Sequence, residues 1–180
     1  MRNRALFAVA VVTLTLAAAR PDVVDSSANG FTVKVMLNIK SPPDEVYQRL
    51  TQNVGDWWNP EHTFSRNSHN LTLDAKAMGC FCEKLPNQGS VRHLEVVYAA
   101  PGKGLVLSGA MGPLQTMAAA GNMQIALAPV DGGTKLQVTY SVTGYLPAGM
   151  NTWAAPVSAM LTEQFTRLKN YIERGDPAPK

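Results

Sequence analysis

The chain has 180 residues and a formal net charge of +3. Two of its positive charges, Arg2 and Arg4, belong to an N-terminal segment with the pattern of a removable signal. The remaining charge of +1 is spread along the chain without a concentrated basic patch, which argues against a nucleic-acid partner. About 160 residues then remain, enough for one domain with a single hydrophobic core.

The first 19 residues have the pattern of a cleavable export signal. A short basic start precedes an apolar run from Ala5 to Leu16, and small residues occupy positions 17–19. The run is shorter than a membrane-spanning helix requires, so a retained anchor is the weaker interpretation. The sequence therefore predicts a periplasmic or secreted protein, with no stable membrane insertion after cleavage. Residues 20–29 are expected to form a flexible, solvated leader.

A strand and a short helix are predicted to open the domain. Residues 31–39 alternate apolar and polar side chains, which is the period of a half-buried strand. Ser41 is placed to cap the helix that follows, and Pro42 and Pro43 fit its first turn. Apolar residues then recur at helical spacing as far as Val54.

Six short strands are predicted between residues 70 and 145. They are rich in Val, Leu, Tyr and Thr, and short turns separate most of them, so they are expected to pair as antiparallel hairpins. Residues 111–121 interrupt the pattern and predict a bent or partly helical connection. The predicted strands are 70–75, 79–85, 91–99, 104–109, 122–129 and 134–145.

One long amphipathic helix is predicted over residues 151–174. Apolar side chains recur every three or four residues, and Gly175 stands where a helix stop is expected. The whole pattern predicts a single α+β domain over residues 30–175, in which a curved antiparallel sheet of about seven strands wraps around the C-terminal helix. Residues 176–180 are expected to form a disordered tail.

The sequence resembles the START-like, or SRPBCC, superfamily of helix-grip proteins, in particular its polyketide cyclase and heat-shock-ATPase-activator-like branch. The resemblance spans residues 31–175 and rests on the stretches SPPDEVYQRLT, DWW, GCFCEKLPNQGSVRHLEVVY, APGKGLVLSG, GGTKLQVTY and QFTRLKNYIERG. It implies a helix-grip fold with a cavity for an apolar ligand between the sheet and the long helix. It does not select one activity, because the superfamily includes carriers, receptors and cyclases.

The segment 56–65, DWWNPEHTFS, carries a surplus of aromatic surface. The resemblance places it at the mouth of the cavity, and tryptophan suits that position because it combines a large apolar body with one N–H donor. Core packing of both tryptophans is the competing interpretation. We expect Trp57 to be buried against the end of the sheet and Trp58 to lie in the rim. The predicted ligand contacts are Trp57, Trp58, Phe64, Phe81, Leu94, Val96, Tyr98 and Met160.

The stretches GCFCE and VRHLE form a second candidate site. If residues 86–89 form a four-residue loop, Cys82 lies opposite His93 and Cys80 opposite Glu95, and the four side chains share one face. Zinc or copper accepts such ligands. Buried or redox-active thiols are the first interpretation and the metal site the second. A disulfide is the third, because a regular strand holds Cα atoms two residues apart near the upper limit of the disulfide span.

Candidates for acid-base chemistry are few. In the same register, Glu83 and Arg92 are expected to form a cross-strand pair, on the face that also carries the predicted apolar contacts. A cyclase or dehydratase would use His62 or Glu83 as general base and Arg92 to stabilise negative charge. The sequence contains no nucleophile elbow, phosphate loop or paired-histidine zinc motif, and no cofactor is predicted.

Three functions are therefore weighed from the sequence. The first is an exported domain that binds a small hydrophobic or amphipathic molecule, and the second is the cyclase- or dehydratase-like enzyme. A co-chaperone role is disfavoured because the partners of heat-shock-ATPase activators are cytosolic while this N-terminus predicts export. No protein partner is identified.

Overall fold

The computed structural model describes residues 22–179, so the predicted export signal lies outside the described residues. This part of the chain forms an antiparallel sheet of eight strands and three α-helices. The strands are β1 (Asp22–Ser27), β2 (Gly30–Ile39), β3 (Leu71–Leu73), β4 (Cys80–Lys84), β5 (Ser90–Ala100), β6 (Gly104–Ser108), β7 (Ala118–Val130) and β8 (Gly133–Tyr145). The helices are α1 (Pro43–Gln52), α2 (Val54–Trp57) and α3 (Ala154–Arg174).

The strand order in the sheet is β1-β2-β8-β7-β6-β5-β4-β3. Strands β3 to β8 form a meander, and β2 joins its last strand in a ladder from Gly30–Thr143 to Ile39–Thr134. The sheet curves around α3, and the predicted α+β helix-grip fold is confirmed. Among residues 22–179, no helix is long and apolar enough to cross a bilayer.

Strand β1 corrects the prediction of a flexible leader over residues 20–29. It pairs with β2 from Asp22–Lys34 to Ser27–Gly30. All six of its side chains are exposed, so the strand lacks the alternation of apolar and polar residues by which a half-buried strand is recognised.

Helix α1 begins as predicted, but its cap is different. Pro43 occupies the first turn, and no side chain caps the helix. The hydroxyl of Ser41 instead donates to the carboxylate of Glu45, 2.5 Å away.

Helix α3 confirms the predicted long helix and supplies one wall of the core. A 3-10 turn, Met150–Trp153, leads into it, and its buried side chains include Leu161, Phe165 and Leu168. The helix ends at Gly175, which has a φ of 74°, a left-handed conformation that glycine adopts without a Cβ clash.

The segment after α3, for which a disordered tail was predicted, makes contacts with the end of that helix. The Asn170 side-chain amide lies 3.4 Å from the carbonyl oxygen of Ala178, and Arg174 donates to the same carbonyl oxygen. These bonds hold the segment against the last turns of α3.

Strand β5 contains a β-bulge where it meets β4. Phe81 pairs with Leu94, but Cys82 pairs with Arg92, so His93 is an extra residue in β5. A bulge shifts the alternation of inward and outward side chains by one residue. His93 is therefore buried on the core side, while Arg92 stays on the outer face.

A second bulge lies where β5 meets β6. Val96 pairs with Leu107, but Tyr98 pairs with Val106, so Val97 is the extra residue. The alternation shifts again at this point. Tyr98 consequently points away from the core, and 57% of it is exposed.

Candidate functional site

A mostly apolar cavity of about 340 Å³ lies between the first turns of α3, the segment after α2 and the connection between β6 and β7. It is partly open to solvent. Three stretches of the chain and one residue of β5 form its wall: Trp58, Glu61, His62, Thr63 and Phe64; Met111, Gly112, Pro113 and Leu114; Trp153, Pro156, Val157 and Met160; and His93.

Three of the eight predicted ligand contacts line this cavity, namely Trp58, Phe64 and Met160. Phe64 is 53% exposed and lies at the mouth. His62, which we considered as a general base, also lies in the wall, where its Nε2 is 3.1 Å from the carboxylate of Glu163.

The other five predicted contacts lie elsewhere. Trp57, Phe81 and Leu94 border a void of only about 30 Å³ beneath the cavity, where they belong to the packed core. Val96 is fully buried and borders neither space. Tyr98 was wrongly predicted to face the cavity, because the bulge at Val97 turns it to the outer face.

The two adjacent tryptophans are both buried, and each indole N–H has a partner. Trp57 is 1% exposed and donates to the carbonyl oxygen of Arg49 at 3.2 Å. Trp58 is 6% exposed and donates to the carbonyl oxygen of His62 at 3.1 Å. Trp58 borders the cavity but lies deeper than the partly exposed rim position that we predicted for it.

A buried carboxylate and imidazole form the polar centre of the site. Glu83 on β4 is fully buried and accepts hydrogen bonds from the backbone N–H groups of Phe64, at 3.1 Å, and Ser65, at 2.6 Å. Its carboxylate also lies 3.0 Å from Nε2 of His93. Because an ionised carboxylate only accepts hydrogen bonds, Nε2 carries the imidazole proton. Glu83 thus fixes both the cavity mouth at Phe64 and the orientation of the His93 ring.

The local environment keeps His93 neutral and Glu83 ionised. Burial lowers the pKa of His93 below its ordinary value, and this effect outweighs the opposite influence of the Glu83 carboxylate. Burial by itself raises the pKa of Glu83, but hydrogen bonds from Ser65, Phe64 and His93 outweigh it and leave that pKa lowered. With its proton on Nε2, the neutral imidazole presents a lone pair at Nδ1.

These two shifts predict that acid destabilises the fold. In the unfolded chain, His93 takes up a proton near its ordinary pKa of 6.5, whereas in the folded protein it stays neutral to lower pH. The free energy of unfolding is therefore expected to fall as the pH drops below 6.5. Glu83 adds a second loss below its ordinary pKa of 4.5. Urea denaturation between pH 8 and pH 4 checks this, and a His93→Phe variant is expected to lack the first loss. A free energy of unfolding that rises between pH 7 and pH 5.5 would contradict the prediction.

Arg92 does not take part in the site. Its side chain is 65% exposed on the outer face of β5 and lies 2.7 Å from the carboxylate of Glu95. The predicted Glu83–Arg92 pair is therefore wrong, because the hairpin starts from the pair Lys84–Ser90, one residue off the assumed register, which places Arg92 opposite Cys82. The catalytic arrangement of His62 or Glu83 with Arg92 does not form, since Arg92 is not among the residues of the cavity wall.

The two cysteines form a disulfide, which was the third of our three interpretations. Cys80 and Cys82 are bonded, and their Cα atoms are 5.4 Å apart, well within the usual disulfide span. The assumption of a regular strand was wrong, because β4 departs from regular geometry next to the bulge. The predicted metal set is also broken: Glu95 does lie opposite Cys80, but His93 faces inward. Among residues 22–179, no group of three or more His, Cys, Asp or Glu side chains is placed to hold a metal ion.

Several wall residues were missed by the sequence analysis. Met160 was predicted, and Pro156 and Val157 lie one turn earlier on the same helix, so helical spacing was a usable signal for them. The 3-10 turn Gly112–Thr116 falls within the predicted bent connection, but nothing in its sequence indicates which side of the sheet it covers. The Glu83–His93 contact was missed because it depends on the bulge.

Known proteins with the same architecture are distant in sequence. No protein-family model and no curated protein matches this sequence. Among solved structures, protein MLL2253 from Mesorhizobium loti is similar with a TM-score of 0.58 and 19% identity, over 81% of this chain and 98% of that one.

Two further structures extend the comparison. CalU16 from Micromonospora echinospora is similar with a TM-score of 0.58 and 18% identity, over 83% of this chain and 78% of that one. The Aha1 protein from Colwellia psychrerythraea, solved as a dimer, is similar with a TM-score of 0.52 and 17% identity, over 80% of this chain and 97% of that one. The sheet wrapped around α3 and these likenesses together show that the chain has the helix-grip fold.

Proposed function

We propose that this chain is an exported domain that binds a small hydrophobic or amphipathic molecule in the cavity beside α3. The observation that carries the proposal is the cavity itself, whose volume of about 340 Å³ falls within the range of small-molecule sites. Its wall is mostly apolar, with a few polar groups, as in sites that bury most of a ligand and orient it by a small number of hydrogen bonds.

The composition of the wall supports an apolar ligand. Trp58, Phe64 and Trp153 offer large aromatic surfaces at low cost in conformational entropy, and Met111 and Met160 add flexible, polarizable side chains that adapt to the shape of a ligand. Such a wall gains free energy mainly by removing apolar ligand surface from water.

Two features support export. The first 19 residues have the pattern of a cleavable signal. The Cys80–Cys82 disulfide is of a kind that persists in the periplasm or outside the cell and is rare in a reducing cytosol. Native mass spectrometry of the mature protein purified from its own host tests both parts of the proposal. A chain that begins near residue 20 and carries a releasable small molecule is expected.

Filling the cavity is expected to abolish binding without unfolding the domain. Val157 is buried in α3 and borders the cavity, so an indole ring at this position takes up the space a ligand needs. We expect Val157→Trp to weaken binding of the fluorescent probe Nile red by roughly tenfold or more. Fluorescence titration measures the affinity, and circular dichroism confirms the fold.

The matched control is Ala159→Trp, which adds the same side chain at an exposed position of the same helix. It is expected to bind Nile red as the wild type does. Equal affinity of both variants would show that the probe binds elsewhere and would remove the support for the cavity as the ligand site.

A further inference from the structure

The polar groups in the cavity wall are almost all engaged within the protein. The indole N–H of Trp58 donates to the carbonyl oxygen of His62, and the hydroxyl of Thr63 donates to the carbonyl oxygen of Pro60 at 2.7 Å. The imidazole of His62 is held by Glu163 at the surface. Each of these groups thus already has a partner within the protein.

Nδ1 of His93 is the exception. It is buried and has no hydrogen-bond partner, and the side chain as a whole is only 5% exposed. The ring belongs to the cavity wall, and its other nitrogen is occupied by Glu83. A buried polar atom without a partner is costly. Because the His93 ring borders the cavity, a molecule bound there is placed to supply the missing hydrogen bond.

The other buried side-chain atoms without partners in the described part of the chain do not border the cavity. They are the hydroxyls of Tyr47 and Ser158 and the amide nitrogen of Gln164. His93 is thus the one residue at which an unsatisfied polar atom and the cavity wall coincide within residues 22–179.

We propose that Nδ1 of His93 accepts a hydrogen bond from a neutral hydroxyl group of the bound molecule, and that the ligand class is a hydroxyl-bearing apolar ring compound such as a phenol. This proposal rests on the proposed function and specifies the ligand of the same cavity. Glu83 acts as a positioning residue, because its hydrogen bond to Nε2 leaves the lone pair on Nδ1.

The charges around the site argue for a neutral donor and against an anion. A ligand carboxylate has no proton to give to Nδ1, and it would meet Glu61 in the wall and Glu83 behind His93. Of the nearby cations, Arg66 is engaged by Glu61 at the surface. An uncharged hydroxyl avoids this electrostatic repulsion and can donate its proton to Nδ1 of His93.

The aromatic surroundings of His93 favour a planar ring next to that hydroxyl. Phe64 stacks on the imidazole with a centroid distance of 5.9 Å and an interplanar angle of 22°, and Phe81 lies 5.1 Å from it on the core side. Since Phe64 is half exposed at the mouth, a flat ligand that enters there gains an aromatic face close to the acceptor atom.

A matched set of three probes tests the proposal on the wild-type protein. They are 2-naphthol, 2-methylnaphthalene, in which a methyl group replaces the hydroxyl, and 2-naphthoate, which is an anion. Isothermal titration calorimetry at pH 7.5 is expected to show that 2-naphthol binds about tenfold more tightly than 2-methylnaphthalene, the ratio that one hydrogen bond to a buried acceptor supplies. The naphthoate is expected to bind more weakly than either.

Nitrogen-15 NMR measures the chemical shifts of the imidazole nitrogens, which general hydrophobic binding leaves almost unchanged. The free protein is expected to show the proton of His93 on Nε2. Saturation with 2-naphthol is expected to shift the Nδ1 resonance, while 2-methylnaphthalene leaves it almost unchanged. In His93→Phe, whose folding is checked by circular dichroism, the advantage of 2-naphthol over 2-methylnaphthalene is expected to disappear.

The outcomes separate this proposal from the function on which it rests. Equal affinities for 2-naphthol and 2-methylnaphthalene, with Nδ1 unmoved, would overturn the hydroxyl anchor and leave the apolar cavity as a binding site. Tighter binding of 2-naphthoate than of 2-naphthol would likewise overturn it. Absence of binding by all three probes would count against both the anchor and the proposed function.

Discussion

Replacement of Glu83 by leucine is expected to lower the free energy of unfolding by about 3 to 5 kcal/mol, one of the two largest effects that we predict for a single side chain. The carboxylate is fully buried and accepts three hydrogen bonds, from the backbone of Phe64 and Ser65 and from His93. Leucine fills a similar volume but leaves three donors without this acceptor, of which the one on His93 is buried and the two backbone N–H groups are partly buried. Their loss outweighs the benefit of removing a buried charge.

Chemical denaturation of the wild type and two variants measures this effect. Glu163→Gln is the matched control, because Glu163 also contacts a histidine, His62, but is 41% exposed at the surface. Its loss is expected to stay well below that of Glu83→Leu, since solvent screens exposed pairs. A loss below about 1 kcal/mol for Glu83→Leu would show that the carboxylate is not essential to this part of the fold.

The three tryptophans are expected to separate stability from binding when each is replaced by alanine. Trp57→Ala is expected to cost about 3 to 5 kcal/mol of unfolding free energy with no change in ligand affinity per folded molecule, because Trp57 packs on Phe165 in the core and does not border the cavity. Trp153→Ala is expected to weaken ligand affinity with little change in the unfolding free energy, since Trp153 is only partly buried but lines the cavity. Trp58→Ala is expected to lower both the unfolding free energy and the ligand affinity.

Urea denaturation and Nile red titration of the same three variants supply the measurements. Trp57→Ala serves as the control for loss of probe fluorescence that does not reflect binding, because it removes the same chromophore from the core and is expected to keep the wild-type affinity. The interpretation fails if Trp57→Ala and Trp58→Ala lose equal stability and both retain wild-type affinity, which would make Trp58 a purely structural residue.

The fold could be predicted from local patterns. The alternation in residues 31–39, the turns between the later strands and the helical spacing before Gly175 each report a short-range physical requirement, and the structure satisfies them. Strand β1 was not predicted because it is an exposed strand held by backbone pairing alone. Such a strand needs no alternation of apolar and polar side chains, so the sequence carries no signal for it.

The candidate site could be predicted only in part. Trp58, Phe64 and Met160 were found because large apolar side chains in an irregular segment or on the long helix indicate a cavity in this fold. The contact between Glu83 and His93 could not be predicted, because it depends on a backbone irregularity rather than on residue type. The assumed four-residue loop set the register at the hairpin wrong by one residue, because Lys84 and not Leu85 pairs with Ser90, and the bulge at His93 brings the strands back to the predicted pair Cys80–Glu95.

The bulge at His93 has a consequence for how this site can change over time. If His93 were deleted, Arg92 would be followed directly by Leu94, and both would keep their present faces of β5 in a regular ladder. The faces that the neighbouring residues occupy therefore do not depend on this residue, although its own ring is buried between Phe64 and Phe81. A change of one codon in length can thus add or remove an inward-facing imidazole in a chain of this fold without turning the neighbouring residues to the opposite face of the strand.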